Sequence, residues 1–254
     1  MLKNKFIIVM PVWNAEKLII PAIKSVLQQD FEDIGLIIRD DLSTDNTRKV
    51  ICDYFKSPLS NMFLMSPEES KHTVLFVSNK EKLYAPGNIY ESVVEYVEND
   101  EAIIGVVDGD DALIKNNVLS LIYDIYQKNN PLVVYTNYMN ATGQKGHCAE
   151  IADTKTYRKS GWVSSHFRTA KAHLYKKINK EDLMYKGQYF KRAGDLALMY
   201  PLIEMAGNDR TIFYDDICYL YNNNLSTNDH NMGLNEQREF ATIIQNMKPY
   251  EELK

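Results

Sequence analysis

Short apolar runs alternate with amphipathic stretches along the first half of the chain. Residues 6–10 (FIIVM), 34–39 (IGLIIR), 73–77 (TVLFV), 102–107 (AIIGVV) and 132–135 (LVVY) are apolar almost throughout. Continuous runs of this length predict strands buried on both faces, as in a parallel sheet, rather than strands with one wet face. Helical patterns lie between them. Leu18, Ala22, Ile23, Val26 and Leu27 fall at helical spacing within 15–29, and Pro21 marks the start of the main helix. Residues 46–55, 88–98 and 116–127 predict three more helices, with Ile89, Val93 and Val97 on one face of the second. The alternation predicts an α/β fold, Rossmann-like, with a mostly parallel central sheet and helices on both faces. The first strand is expected to stop at Pro11, which cannot donate to a ladder. Residues 56–72, with two prolines, predict an irregular connection.

After residue 140 the pattern weakens. Residues 142–162 are polar and contain glycine, which predicts a flexible loop, and 167–190 are rich in Lys and Tyr. Residues 195–206 (DLALMYPLIEMA) predict an amphipathic helix that Pro201 kinks. Residues 212–215 and 217–221 predict a last strand or hairpin. A polar, Asn-rich tail from 222 carries one more helical stretch near 235–247.

The ends of the runs carry the chemistry. Trp13-Asn14 follows the first, Asp40-Asp41 the second, and Asp108-Gly109-Asp110-Asp111 the fourth. In open α/β sheets ligands gather outside the carboxyl ends of the strands. Three carboxylates within four positions repel one another unless water or a cation lies among them. Carboxylate oxygens suit hard divalent cations such as Mn²⁺ or Mg²⁺. Each acidic pair also has a plainer reading, as a solvated turn or as the N-terminus of the next helix.

Charge and composition narrow the partners. A net charge of −5 and a pI of 5.6 speak against nucleic acid, whose binders carry basic faces. The 254 residues suffice for a sizeable core without staples. The cysteines Cys52, Cys148 and Cys218 are odd in number, far apart and without a CxxC pair, so neither a zinc site nor a disulfide framework is expected. A reducing compartment fits. No signal-peptide pattern and no apolar run of ~20 residues occurs, so the expectation is a cytoplasmic protein with no integral membrane segment.

Four segments, "IIVMPVWNAEKLIIPAIKSVLQQ", "IIRDDLSTDNT", "VSNKEKLYAPGN" and "GVVDGDDALI", resemble family 2 glycosyltransferases of the GT-A fold in order and spacing. The likeness covers residues 4–125. A looser one, in "SSHFRTAKAHLYKKI" and "YFKRAGDLALMYPLIEMAG", covers 162–207. The chain departs from the family pattern in three places. Leu42 stands where Gly is usual, "LYAPGN" replaces Ala-Arg-Asn, and Gly194-Asp195 replaces an acidic Glu-Asp pair.

The resemblance implies an inverting, metal-dependent transfer from a nucleotide-sugar donor, a UDP-sugar by expectation, to a saccharide or other hydroxyl acceptor. It assigns donor binding to Pro11, Val12, Trp13, Asn14, Asp40, Asp41, Asn79, Lys80, Asp108, Gly109 and Asp110. The divalent cation falls to Asp110 and Asp108, with His230 of the tail as a further ligand. His166 and Arg168 would hold the acceptor or the diphosphate. Asp195 would take the proton of the attacking hydroxyl. Residues 1–225 would form the GT-A domain, with 1–135 the nucleotide-sugar half, 136–225 the acceptor half and 226–254 a C-terminal helical or irregular extension. A homo-oligomer is compatible with this picture. Two rival readings are a nucleotidyltransferase of sugar phosphates and a catalytically inactive nucleotide- or carbohydrate-binding module. The former usually carries a Gly-rich basic loop after strand one, where this chain has Pro11-Val12-Trp13-Asn14.

Overall fold

The computed structural model of the chain describes residues 1–65, 72–222 and 233–254. In chain order the first half runs β1 (Phe6–Val12), α1 (Ile19–Leu27), β2 (Ile34–Asp40), α2 (Thr47–Tyr54), β3 (Met62–Met65), β4 (Thr73–Ser78), α3 (Tyr84–Tyr96), β5 (Ile103–Val106), β6 (Ala112–Leu113), α4 (Val118–Asn129) and β7 (Val133–Asn140). The second half runs α5 (Tyr157–Ser160), β8 (Arg168–Lys171), α6 (Ala172–Tyr175), β9 (Met184–Tyr185), β10 (Gln188–Tyr189), α7 (Gly194–Ala206), β11 (Thr211–Tyr221) and α8 (Leu234–Asn246).

All five apolar runs become strands of one sheet, ordered β3-β4-β2-β1-β5-β8-β7-β11-β6. The pairs β4–β2, β2–β1, β1–β5 and β7–β11 are parallel. β3, β8 and β6 run against their neighbours. Strand periodicity divides the core into two layers. Phe6, Ile8 and Met10 of β1 face Ile23 and Val26 of α1 and Ile122 of α4. Ile7 and Val9 face the opposite layer, built from Val93 of α3 and Leu202 of α7. Helices therefore cover both faces, as the runs predict.

Several boundaries differ from the sequence expectation. β1 continues through Pro11, paired with Arg39, to Val12. The carbonyl of Pro11 accepts from Gly109 N at 2.9 Å, beyond the last residue of β5, so its missing N–H falls where that ladder is ending. α1 starts at Ile19, which places Pro21 in the first turn, where backbone N–H groups lack helical partners anyway. α3 starts four residues early, at Tyr84. The expected irregular connection holds β3, which pairs antiparallel with β4 at the sheet edge. β8 lies in a stretch without strand pattern, yet it is inserted antiparallel between β5 and β7. β11 is one strand with two register shifts instead of a hairpin. Pro201 sits inside α7 without ending it.

The C-terminal helix is tied into the same core. Phe240 and Ile244 of α8 pack against α7. Under them lies a buried ion pair. Arg158 Nε and Nη2 meet Glu204 Oε1 and Oε2 at 2.5 and 2.9 Å. The third guanidinium nitrogen donates to Ile244 O at 2.7 Å, and Tyr250 N donates to Glu204 Oε2 at 2.9 Å. The three cysteines are free and buried. Among the described residues no helix is long and apolar enough to cross a membrane.

Candidate active site

Backbone hydrogen bonds gather the carboxyl ends of four strands into one mouth. Asp41 N donates to Val12 O at 2.8 Å, Asn79 N to Asp40 O at 2.9 Å and Gly109 N to Pro11 O. The close passage of the β5 tip over β1 demands glycine. A Cβ at Gly109 would lie 2.7 Å from Val12 Cβ and Cγ2.

Much of the polar side chemistry at this mouth builds its walls. The Asp40 carboxylate accepts from Ser43 N at 3.2 Å and Ser78 Oγ at 3.0 Å. Asp41 accepts from Asn79 Nδ2 and from Leu83 N and Tyr84 N, so it caps the start of α3. Asn79 spends its remaining groups on Arg39 and Asn88. Asn14 Oδ1 accepts from Thr44 N at 2.7 Å and joins the loops after β1 and β2. Leu42, in place of the usual glycine, keeps the left-handed turn with φ 62°, at a cost of ~1–2 kcal/mol.

Two more residues, Trp13 and Lys82, lie together beside this framework. Trp13 is half exposed, and Lys82 Nζ lies 4.1 Å from its ring centroid. Lys82 also donates to Asp41 O at 2.8 Å. Burial lowers its pKa, against the pull of Asp41 and Asp40. Lys80, the residue that the sequence singles out, is exposed, and Lys82 occupies the mouth instead. The left-handed turn at Tyr84 (φ 54°) accompanies this displacement, and no composition signal announces it.

The acidic loop is held by β11. Tyr219 Oη donates to Asp111 Oδ2 at 2.8 Å and accepts from Asp108 N at 3.0 Å, while Asn222 N donates to Asp111 Oδ1 at 2.7 Å. Burial pushes the Asp111 carboxyl well above the usual carboxylate range, and Asp110 and Asp108 push it further. The structure brings together Asp108, Asp111 and His166, each with one ligand atom within 4.8 Å of the others. Asp110, expected as the metal ligand, stands outside that group, and His230 lies outside the described residues. The His166 ring stacks on Tyr219 (4.6 Å, 10°) and on Tyr221 (5.2 Å, 18°).

A cavity of about 510 Å³ opens beside this loop, lined by Asp108, His166, Arg168 and Asp195. Arg168 is buried, and its Nη1 lies 3.8 Å from Asp195 Oδ2. Burial opposes its charge, but Asp195 and then Asp108 outweigh this and raise its pKa. Asp195 lies in the first turn of α7, where Oδ1 accepts from Leu196 N at 3.0 Å. Its preceding Gly194 is explained by packing, since a Cβ there would sit 2.5 Å from Pro86 Cδ. Two departures from the family pattern, the Pro of "LYAPGN" and Gly194, are thus in contact. Sequence reasoning missed Lys82, the pairing of Asp111 with Tyr219, and the cavity wall made by α8.

The arrangement pairs a cation-suited acidic loop with a carboxylate across one cavity, which suits group transfer from an anionic leaving group. Comparisons with known proteins agree with the fold. The chain is 26% identical over 237 residues to the glycosyltransferase GlyG of Streptococcus pneumoniae, covering 84% of this chain and 69% of that protein. It is 31% identical over 134 residues to the UDP-Glc:alpha-D-GlcNAc-diphosphoundecaprenol beta-1,3-glucosyltransferase WfgD of Escherichia coli, covering 52% of this chain and 44% of WfgD. S. aureus TarS 1-349 in complex with UDP-GlcNAc superposes with a TM-score of 0.67 at 16% identity, covering 97% of this chain and 68% of that one. The chain spans 60% of the same TarS segment solved alone and 41% of a longer TarS structure. The family model for glycosyl transferase family 2 matches residues 7–192, from β1 to the threshold of α7, and the chain belongs to that family, whose members transfer glycosyl groups.

Proposed function

We propose that the chain transfers a sugar from a nucleotide-sugar donor, with UDP as the nucleotide, to an acceptor hydroxyl, with inversion and with a divalent cation. The observation that carries this reading is the single cavity that Asp108 and Asp195 share, with buried Arg168 beside both. Relatives support the donor. TarS has been crystallised with UDP-GlcNAc, and glucosyl-3-phosphoglycerate synthase from Mycobacterium tuberculosis, TM-score 0.54, with Mn²⁺ and UDP.

The residues suit a hard cation. Asp108 and Asp111 offer carboxylate oxygens and His166 an imidazole nitrogen. Burial and then the charges of Asp110 and Asp108 raise the Asp111 pKa, and the second of these causes is the repulsion a cation relieves. When bound, such an ion neutralises charge developing on a leaving diphosphate. Trp13 and Lys82 offer a ring and a cation at the mouth for the nucleotide. Asp195 accepts the proton of the acceptor hydroxyl as its oxygen attacks the anomeric carbon, which gives inversion in one displacement. Arg168 holds the carboxylate toward the cavity. The domain is read as a nucleotide-sugar half, 1–135, and an acceptor half, 136–225, with 226–254 as a C-terminal extension.

The test is turnover of UDP-glucose and UDP-N-acetylglucosamine by the whole chain, with and without Mn²⁺. UDP release with cation, loss of cation-dependent UDP binding in Asp108→Asn, and a ~10²–10⁴-fold loss of transfer in Asp195→Asn with binding kept are expected. A wild-type chain that neither binds UDP nor releases it ends the proposal. Turnover that Asp195→Asn leaves intact removes the assigned base.

A further inference from the structure

We infer that α8 selects the acceptor, and that Arg238 on α8 favours an acceptor bearing an anionic group such as a phosphate ester. The inference rests on the glycosyltransferase reading above. One cavity is lined both by the reacting groups Asp108, Arg168 and Asp195 and by Gln237, Arg238 and Gln245 of α8. Trp162, Tyr138 and Met199 add apolar wall suited to a sugar face or an aglycone. At about 510 Å³ the space falls in the range of small-molecule sites, ~300–1,000 Å³.

Residues 237, 241 and 245 recur at helical spacing, so one side of α8 faces the cavity along two turns. α8 begins at Leu234, well past residue 192, where the family match ends. This wall therefore lies outside the stretch that the family model matches and is a natural place for selectivity. The docking of α8 through Arg158, Glu204 and Phe240 fixes it there.

The charges along the wall single out Arg238. Arg192 is engaged by Glu236 at 3.0 Å, and Arg168 by Asp195. Arg238 is exposed at the cavity rim and makes no ion pair among the described residues. A guanidinium presents a planar fork that matches phosphate or carboxylate oxygens. A chain with net charge −5 repels anions in general, so a local cation at the rim discriminates among acceptors.

The experiment measures binding of three probes to the chain saturated with UDP and Mn²⁺. They are N-acetylglucosamine 1-phosphate, its decyl phosphodiester, and methyl N-acetylglucosaminide. Either phosphate probe is expected to bind at least tenfold more tightly than the methyl glycoside. Arg238→Ala should reduce that preference below twofold, and Arg238→Lys should keep part of it. A tighter decyl diester identifies a lipid-borne phosphate as the source, and equal affinity identifies a soluble one. Equal binding of phosphate and methyl probes, no binding of either phosphate probe, or a preference that survives in Arg238→Ala overturns the inference. UDP binding in the same samples separates the two readings. Its loss in the wild type sinks the glycosyltransferase proposal, whereas UDP binding without phosphate preference sinks only the role of α8.

Discussion

Removing one half of the buried Arg158–Glu204 pair should loosen α8 and with it the cavity wall. Both side chains are nearly inaccessible and meet by two charge-assisted bonds, and the pair also satisfies Ile244 O and Tyr250 N. Arg158→Met leaves a buried carboxylate without a counter-charge. Such a loss costs ~3–5 kcal/mol, a large share of the ~5–15 kcal/mol that holds a typical native protein together. Glu204→Met should cost as much, because it strands the guanidinium. In the double variant no charge is left unpaired, and the remaining cost is that of Ile244 O and Tyr250 N, ~2–4 kcal/mol in all. The double variant should therefore fall short of the summed single costs by at least ~2 kcal/mol. Urea unfolding followed by circular dichroism gives the three free energies by linear extrapolation. Hydrogen exchange should show α8 amides opening first in the single variants. Single costs below ~1 kcal/mol, or additivity within ~0.5 kcal/mol, would refute the claim that this pair anchors the helix.

Gly109→Ala should disturb the acidic loop, because its Cβ would lie 2.7 Å from Val12; a displacement of about an ångström there can cost ~10²-fold in turnover, and an unchanged rate contradicts the packing argument. Asp111 bears on stability against pH. Its folded pKa is raised, so the folded state holds a proton that the unfolded state has lost, and cation-free stability should fall as pH rises from the unfolded carboxylate value through the folded one. Asp111→Asn should flatten that decline in thermal melts and weaken Mn²⁺ binding, whereas an unchanged pH profile would acquit Asp111. The two tryptophans should report separate events, since Trp13 lies at the strand-end mouth proposed for the nucleotide and Trp162 lines the cavity. UDP should change emission in Trp162→Phe but not in Trp13→Phe, and the reverse pattern would exchange the two subsites.

The first 135 residues were readable because their strands are mostly buried on both faces. Apolar runs such as FIIVM and AIIGVV have no other comfortable place, and their polar tips follow from the parallel topology. β8 was not readable. Its four residues, RTAK, carry two cations and owe strand geometry to β5 and β7 on either side. β3 is equally short and lies at an edge. The grouping of Asp111 and His166 with Asp108 escaped for a different reason. Asp108 and His166 are far apart in sequence, and Tyr219 of β11 and Asn222 just beyond it hold the Asp111 carboxylate. The spacing of the acids alone cannot express those contacts. Lys82, two residues beyond exposed Lys80, is the lysine that lies against Asp41 and Trp13, a placement that the spacing alone does not show.

The contact between Pro86 and Gly194 carries a consequence for engineering. Placing a side chain at 194 while proline remains at 86 drives a carbon atom into the pyrrolidine ring. The two positions are therefore a matched pair, and grafting this α7 entrance onto a relative requires transplanting the "LYAPGN" corner with it.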